Sequence, residues 1–233
     1  MADMRASRAL GRRDLFRLVA AGGIAAAAGL NVVAGHPRAA HAQGSNTPQD
    51  ALKTLMDGNA RYAANQMTSF AEDLELIRQN NKESQQPFAA LLSCADSRVP
   101  VEIVFDQTFG RLFVTRVAGN IATSEIIASL EYGAAVLGTK VIMVLGHGSC
   151  GAVSATISGK AVPGQISALY APIRPAVNEA GPNLDAAIRA NARIQASLLR
   201  EGSPVVADLV RQGKLLVVSA IYDLATGRVT LLS

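Results

Sequence analysis

Two short segments, Cys94-Ala-Asp96-Ser97-Arg98 and His147-Gly-Ser-Cys150, hold both cysteines of this 233-residue chain. His147 and Cys150 stand about one helical turn apart and can face one point, and Cys94 can add a third donor from a neighbouring strand end. Two thiolates and one imidazole suit Zn²⁺. Three protein ligands leave the fourth tetrahedral position open, as a catalytic site requires. The competing reading is a Cys94–Cys150 disulfide with His147 packed beside it, in an exported, non-enzymatic binding module. Asp96 and Arg98 favour chemistry. As a surface ion pair they would contribute only ~0–1 kcal/mol, but close to a metal ligand an acid held by a base can aim a reacting group.

Strands must bring these segments together. Phe88-Ala-Ala-Leu-Leu-Ser93, Leu112-Phe-Val114, Val141-Ile-Met-Val-Leu145 and Leu215-Leu-Val-Val-Ser-Ala-Ile-Tyr222 are short apolar runs, the pattern of strands covered on both faces of a parallel sheet. Gly227–Leu232 predicts a last strand returning antiparallel after the Ala225-Thr226-Gly227 turn. Between them lie predicted helices. Thr47-Pro48 caps one whose apolar positions are Leu52, Leu55, Met56 and Ala60, and a short one holds Leu74, Leu76 and Ile77. Ser124–Leu137, Asp185–Arg200 and Ser203–Arg211 are the others. The expectation is an α/β fold with a mostly parallel central sheet, an antiparallel edge strand and flanking helices. Cys94 follows the first strand and His147 the third, so both lie at carboxyl ends, where open α/β sheets bind ligands.

The N-terminal 42 residues read as a removable leader. Gly11-Arg12-Arg13-Asp14-Leu15-Phe16 is a twin-arginine pattern, the stretch from Leu18 to Gly35 is uncharged, and Ala40-His41-Ala42 is a small-x-small cleavage site. Residues 43–233 then form a single periplasmic domain with no membrane segment. Twin-arginine export of a folded chain lets its thiols meet a metal under reducing conditions. The formal net charge of +4 belongs to the leader. Lys+Arg 22 less its six Arg, and Asp+Glu 18 less its two Asp, leave 16 of each sign. A chain so balanced lacks the cationic excess that nucleic-acid binding needs. With 49% hydrophobic and 17% charged residues, it is not a disordered chain. Of its three histidines, His36 and His41 leave with the leader, so His147 stands alone.

The combination Cys94-x-Asp96-Ser97-Arg98 with His147-x-x-Cys150-Gly151 resembles the zinc site of the β-class carbonic anhydrases. The similarity extends to Val99-Pro100-x-Glu102, Arg116-Val-Ala-Gly119-Asn120, Ala220-Ile-Tyr222-Asp223 and Gly227-x-Val229, and so covers the domain from about Asp50 onward. Val117 departs from it, since the family usually has Asn there. The resemblance implies reversible hydration of carbon dioxide to bicarbonate and a proton, with one Zn²⁺ per chain held by Cys94, His147 and Cys150. In the open form so implied, zinc-bound hydroxide is oriented by Asp96, which Arg98 holds ionised; in a closed form Asp96 is itself the fourth ligand. Leu91 stands where the self-closing subtype has Trp, and Gln85, Phe113 and Tyr132 match the substrate-pocket positions of the open subtype, with Gly119 as a further substrate-binding residue. The unit implied is a homodimer or homotetramer, the site near the subunit seam and the 50–64 helix embracing the partner. A zinc hydrolase acting on carbonyl sulfide or carbon disulfide would use the same ligands.

Overall fold

The computed structural model describes residues 47–69 and 74–233, so the predicted leader lies outside the described residues. Helix α1 (Pro48–Ala63) opens as its sequence dictates: the Thr47 hydroxyl accepts from the Asp50 N–H at 3.1 Å, and Pro48 sits in the first turn, where its missing N–H costs nothing. Its buried face differs from the predicted one. Ala51, Leu55, Gly58 and Asn59 are buried, Leu52 and Met56 are half-buried, and Ala60 is exposed. The cause is tertiary. A Cβ on Gly58 would meet the Phe105 carbonyl oxygen, so only glycine admits that backbone. Asn59 is buried because its amide is fully employed: Nδ2 donates to the carbonyls of Val104 (3.1 Å) and Gly227 (2.9 Å), and Oδ1 accepts from the Val229 N–H (2.8 Å). Helix α2 (Leu74–Asn81) buries only Ile77, leaving the other two apolar positions, Leu74 and Leu76, exposed.

The sheet contains β1 (Ala89–Ser93), β2 (Leu112–Arg116), β3 (Val141–His147), β4 (Leu216–Tyr222) and β5 (Val229–Leu231), in the order β2-β1-β3-β4-β5. The first four pair in parallel, and β5 runs antiparallel along β4. The short apolar runs are therefore strands. β1 and β3 are buried along their whole length, whereas β2, at an edge, is mostly half-buried. Side chains alternate between two cores. Ala89, Leu91, Val141, Met143, Leu145 and Ala220 pack on α1 and α3 (Val101–Val104). Ala90, Leu92, Ile142, Val144 and Val217 face the larger helical layer.

That layer is built from α4 (Ser124–Ala135), α5 (Gly151–Ser158), α6 (Tyr170–Ala180), α7 (Leu184–Gly202) and α8 (Pro204–Arg211). Ser203 caps α8, accepting from the Val206 N–H at 3.0 Å. α3, α5, α6 and the 3₁₀ turn Gly164–Leu169 are additions to the predicted elements. α6 carries Pro172 near its start and Pro175 inside it, residues that read as breakers. Burial of Ile173 and Ala176 holds the helix despite them; a fully buried Ile contributes ~1.5–3 kcal/mol. Among the described residues no helix is long and apolar enough to cross a membrane.

Strand order fixes where a ligand can bind. From β1 the chain steps to one side to form β2, then to the other to form β3. The carboxyl ends of β1 and β3 thus flank the point where the winding reverses, the usual crevice of an open α/β sheet. Cys94 follows β1 and His147 ends β3.

Candidate metal centre

Cys94, His147 and Cys150 are all buried, and their donor atoms lie within 4.8 Å of one another. Both cysteines are free thiols, which removes the disulfide staple. Ser149, at φ 55°, turns the chain between the second and third of these donors. His147 Nδ1 lies 2.9 Å from the Gly148 carbonyl oxygen. A carbonyl only accepts, so Nδ1 carries the proton and Nε2 keeps a lone pair. That Nε2 is buried without any hydrogen-bond partner. A buried imidazole nitrogen with an unused lone pair beside two sulfurs is what a metal ligand looks like before the metal is added. Zinc bonds of ~2.0–2.3 Å need only small side-chain adjustments from this spacing. The residues fit the ion.

The two thiols share a proton unequally. The hydrogen bond from Cys150, together with that from the Gly119 N–H, outweighs burial and draws Cys94 down to about 4. The same bond, with burial, pushes Cys150 up. A bound cation would ionise both.

Asp96 stands against this cluster, its Oδ2 3.9 Å from His147 Nε2. Arg98 grips it with a fork: Nε donates to Oδ1 at 2.9 Å and Nη2 to Oδ2 at 2.7 Å, while the Arg98 backbone N–H also reaches Oδ1 at 2.9 Å. The fork holds the Asp96 carboxyl well below the usual carboxylate range, against a smaller opposing effect of burial. Arg98 Nη2 also reaches the Ser149 carbonyl at 3.4 Å, tying the first segment to the second.

Several supports come from residues to which the sequence assigned no role or, for Gly119, a place in the substrate pocket. Arg116, at the end of β2 and opposite Ser93, donates Nε to the Cys94 carbonyl (2.9 Å) and Nη2 to the Asp96 carbonyl (2.5 Å). Asn191 and Gln195, buried on α7, hold the loop that contains Gly119. An amide pair four residues apart on the otherwise apolar inner face of an amphipathic helix was the available signal. Gly119 itself, at φ 77°, donates its N–H to Cys94 Sγ at 3.3 Å, and a Cβ there would strike Ile173. Val117, the departure from the family pattern, donates its N–H to the Ser93 carbonyl and leaves this geometry intact.

The remaining pocket residues are not brought to this cluster within one chain. Gln85 is exposed ahead of the amino end of β1, across the sheet from the cluster. Phe113 pairs with Ala90, three residues or ~10 Å back along the strand from Ser93. Its ring lies 6.2 Å from that of Tyr132, which is 47% exposed on α4.

Residues 89–229 match the carbonic anhydrase family model. The chain belongs to the carbonic anhydrase family. It is 35% identical over 197 residues to a carbonic anhydrase of Mycolicibacterium smegmatis, covering 81% of this chain and 95% of that protein. Over 195 residues it is 37% identical to a carbonic anhydrase of Pseudomonas aeruginosa, covering 76% and 86% of the two chains. Among solved structures, the Coccomyxa β-carbonic anhydrase in complex with acetazolamide superposes with a TM-score of 0.61 at 26% identity, covering 78% of this chain and 86% of that one. A β-carbonic anhydrase of Sordaria macrospora, described as tetrameric, shares the fold with a TM-score of 0.60 at 21% identity, over 68% and 90% of the chains. The α/β architecture with one antiparallel edge is thus that of the β-class carbonic anhydrases.

Proposed function

We propose that this chain catalyses the reversible hydration of carbon dioxide to bicarbonate and a proton, with one Zn²⁺ held by Cys94, His147 and Cys150. The observation that carries the reading is the unpartnered, buried Nε2 of His147 facing two free thiols beside a carboxylate. Zinc at such a site supplies Lewis-acid chemistry, bringing the pKa of water from 15.7 to roughly 7 so that a nucleophile exists at neutral pH. Asp96 accepts the hydrogen of the attacking water and so turns the oxygen lone pair towards the substrate carbon. Arg98 keeps both Asp96 oxygens occupied and ionised. That supports the open form, with Asp96 as a hydrogen-bond acceptor rather than a fourth ligand. Arg116 fixes the turn that presents Asp96.

The apolar wall comes from a second copy in this reading. Phe113 and Tyr132 sit on the exposed edge formed by β2 and α4, together with Val136, which is 66% exposed. A homodimer seam there would cover them and bring their rings to a site, and tetramers can be built from such dimers. The leader at 1–42 directs the folded domain to the periplasm.

The deciding measurement is zinc per chain and carbon dioxide hydration in one preparation, with Cys94→Ala alongside. We expect about one zinc per wild-type chain, and neither metal nor activity in the variant. A metal-free wild type with full activity refutes the proposal. Faster turnover of carbonyl sulfide than of carbon dioxide would assign the site to the sulfur substrate.

A further inference from the structure

Asn191 and Gln195 lie one turn apart on α7, each 1% exposed, on a face otherwise made of Ala187, Ile188, Ala192 and Leu199. Asn191 Nδ2 donates to the Gly119 carbonyl at 2.8 Å, and its Oδ1 accepts from Gln195 Nε2 at 3.2 Å. Gln195 Nε2 also reaches the Pro172 carbonyl at 3.1 Å, and its Oε1 accepts from the Ala122 N–H at 2.9 Å. The pair therefore grips both ends of the loop Gly119–Ala122. That loop needs gripping. Gly119 and Asn120 are consecutive residues in the left-handed region, φ 77° and 44°, a conformation that glycine adopts freely and other residues adopt only when held.

The loop delivers one group to the metal centre, the Gly119 N–H on Cys94 Sγ. A donor on a ligating sulfur withdraws charge from it. This matters in a site with two thiolates, which push more electron density onto zinc than imidazoles would and so oppose the acidification of water. We infer that the buried Asn191–Gln195 pair is a positioning device that holds the Gly119 N–H on the Cys94 sulfur and thereby limits the electron donation of that ligand to the metal. The inference rests on the zinc reading above. Two buried amides on an apolar helix face are costly unless partnered, and here the oxygen and nitrogen of each are hydrogen-bonded, to the loop, to one another and to the Pro172 carbonyl.

The test uses the full domain loaded with cadmium-113 as the spectroscopic stand-in for zinc. In the wild type the Gly119 amide proton shows scalar coupling to the metal through the sulfur. Asn191→Leu loses that coupling, moves the cadmium resonance, and weakens zinc binding, read by chelator competition, by about 10–100-fold. Gln195→Met acts in the same direction to a smaller extent. Leu199→Ala, buried on the same helix but with a side chain that makes no hydrogen bond to the loop, lowers Tm and leaves the cadmium resonance and zinc affinity unchanged.

A wild type that binds the metal without coupling at Gly119 overturns the inference alone. So does a Leu199→Ala variant that loses as much zinc affinity as Asn191→Leu. If Asn191→Leu does not fold, the wild-type coupling and Gln195→Met decide. A wild type that binds neither zinc nor cadmium overturns the metal-site reading, and the inference with it.

Discussion

At the scale of single residues, the proposed zinc site divides the roles into donors to the metal and groups that aim. Arg98 belongs to the second kind. Replacing it with Gln leaves three ligands in place but removes the fork from Asp96. Hydration should fall by roughly 10–100-fold, the usual cost of losing a group that orients a site, with zinc per chain unchanged. Parallel metal analysis and hydration assays check this; loss of zinc together with activity would mean that Arg98 maintains the ligands instead. The residues in contiguous motifs were legible from sequence because spacing alone puts them within reach of one point: Cys94 with Asp96 and Arg98, and His147 with Cys150. Arg116, Asn191 and Gln195 were not, because each acts on a carbonyl or N–H of a segment far away in the chain. Backbone groups leave no trace in residue type.

Among the elements, all five strands were legible, since runs of Ala, Leu, Ile and Val bounded by turn residues have few other uses. The helices fared unevenly. α6 was hidden by its two prolines, and the face of α1 was misread because hydropathy cannot register a buried amide such as Asn59. The segment after α1 is secured by a buried carboxylate that no motif announces. Asp106 accepts from the backbone N–H groups of Thr68 and Ser69 and from Arg61 Nε, and its side chain is wholly buried. Burial alone would raise its pKa, but these donors prevail and hold it at about 2, down from 3.8. A depressed carboxylate contributes stability that is complete above the unfolded value of ~3.9 and disappears as pH falls through the folded one. Asp106→Asn should therefore destabilise the domain by on the order of 2 kcal/mol at pH 7, with a gap that narrows between about pH 4 and pH 2. Thermal unfolding of both proteins across that range checks the sign, and a gap that widens on acidification would contradict it.

For the whole molecule, the proposed reaction must release a proton, and the count of histidines bears on how it leaves. Residues 43–233 hold His147 alone, fully buried with Nδ1 donating to a carbonyl, so within them no imidazole is free to carry a proton between site and solvent. Turnover should rise with the concentration of imidazole-type buffer before levelling off; stopped-flow hydration at constant pH and ionic strength measures this, and a flat response would point to an internal route. Export is tested by mass. On the proposed leader reading, the exported form should begin at Gln43, and Arg12→Lys with Arg13→Lys should leave the protein in the cytoplasm. Assembly is tested at the exposed aromatic edge, where Tyr132→Glu should shift sedimentation towards the monomer and reduce hydration together.

The Asn59 amide also ties together parts of the chain that lie far apart. One of its partners, Val104, is 45 residues away, and the other two, Gly227 and Val229, are 168 and 170 residues away where β5 begins. Helix α1 therefore keeps its buried amide satisfied only while the β5 edge is docked against it. Cutting the chain before Gly227 spares Cys94, His147 and Cys150 yet strips that amide of two partners, so losing the edge strand is expected to loosen α1 rather than the metal donors.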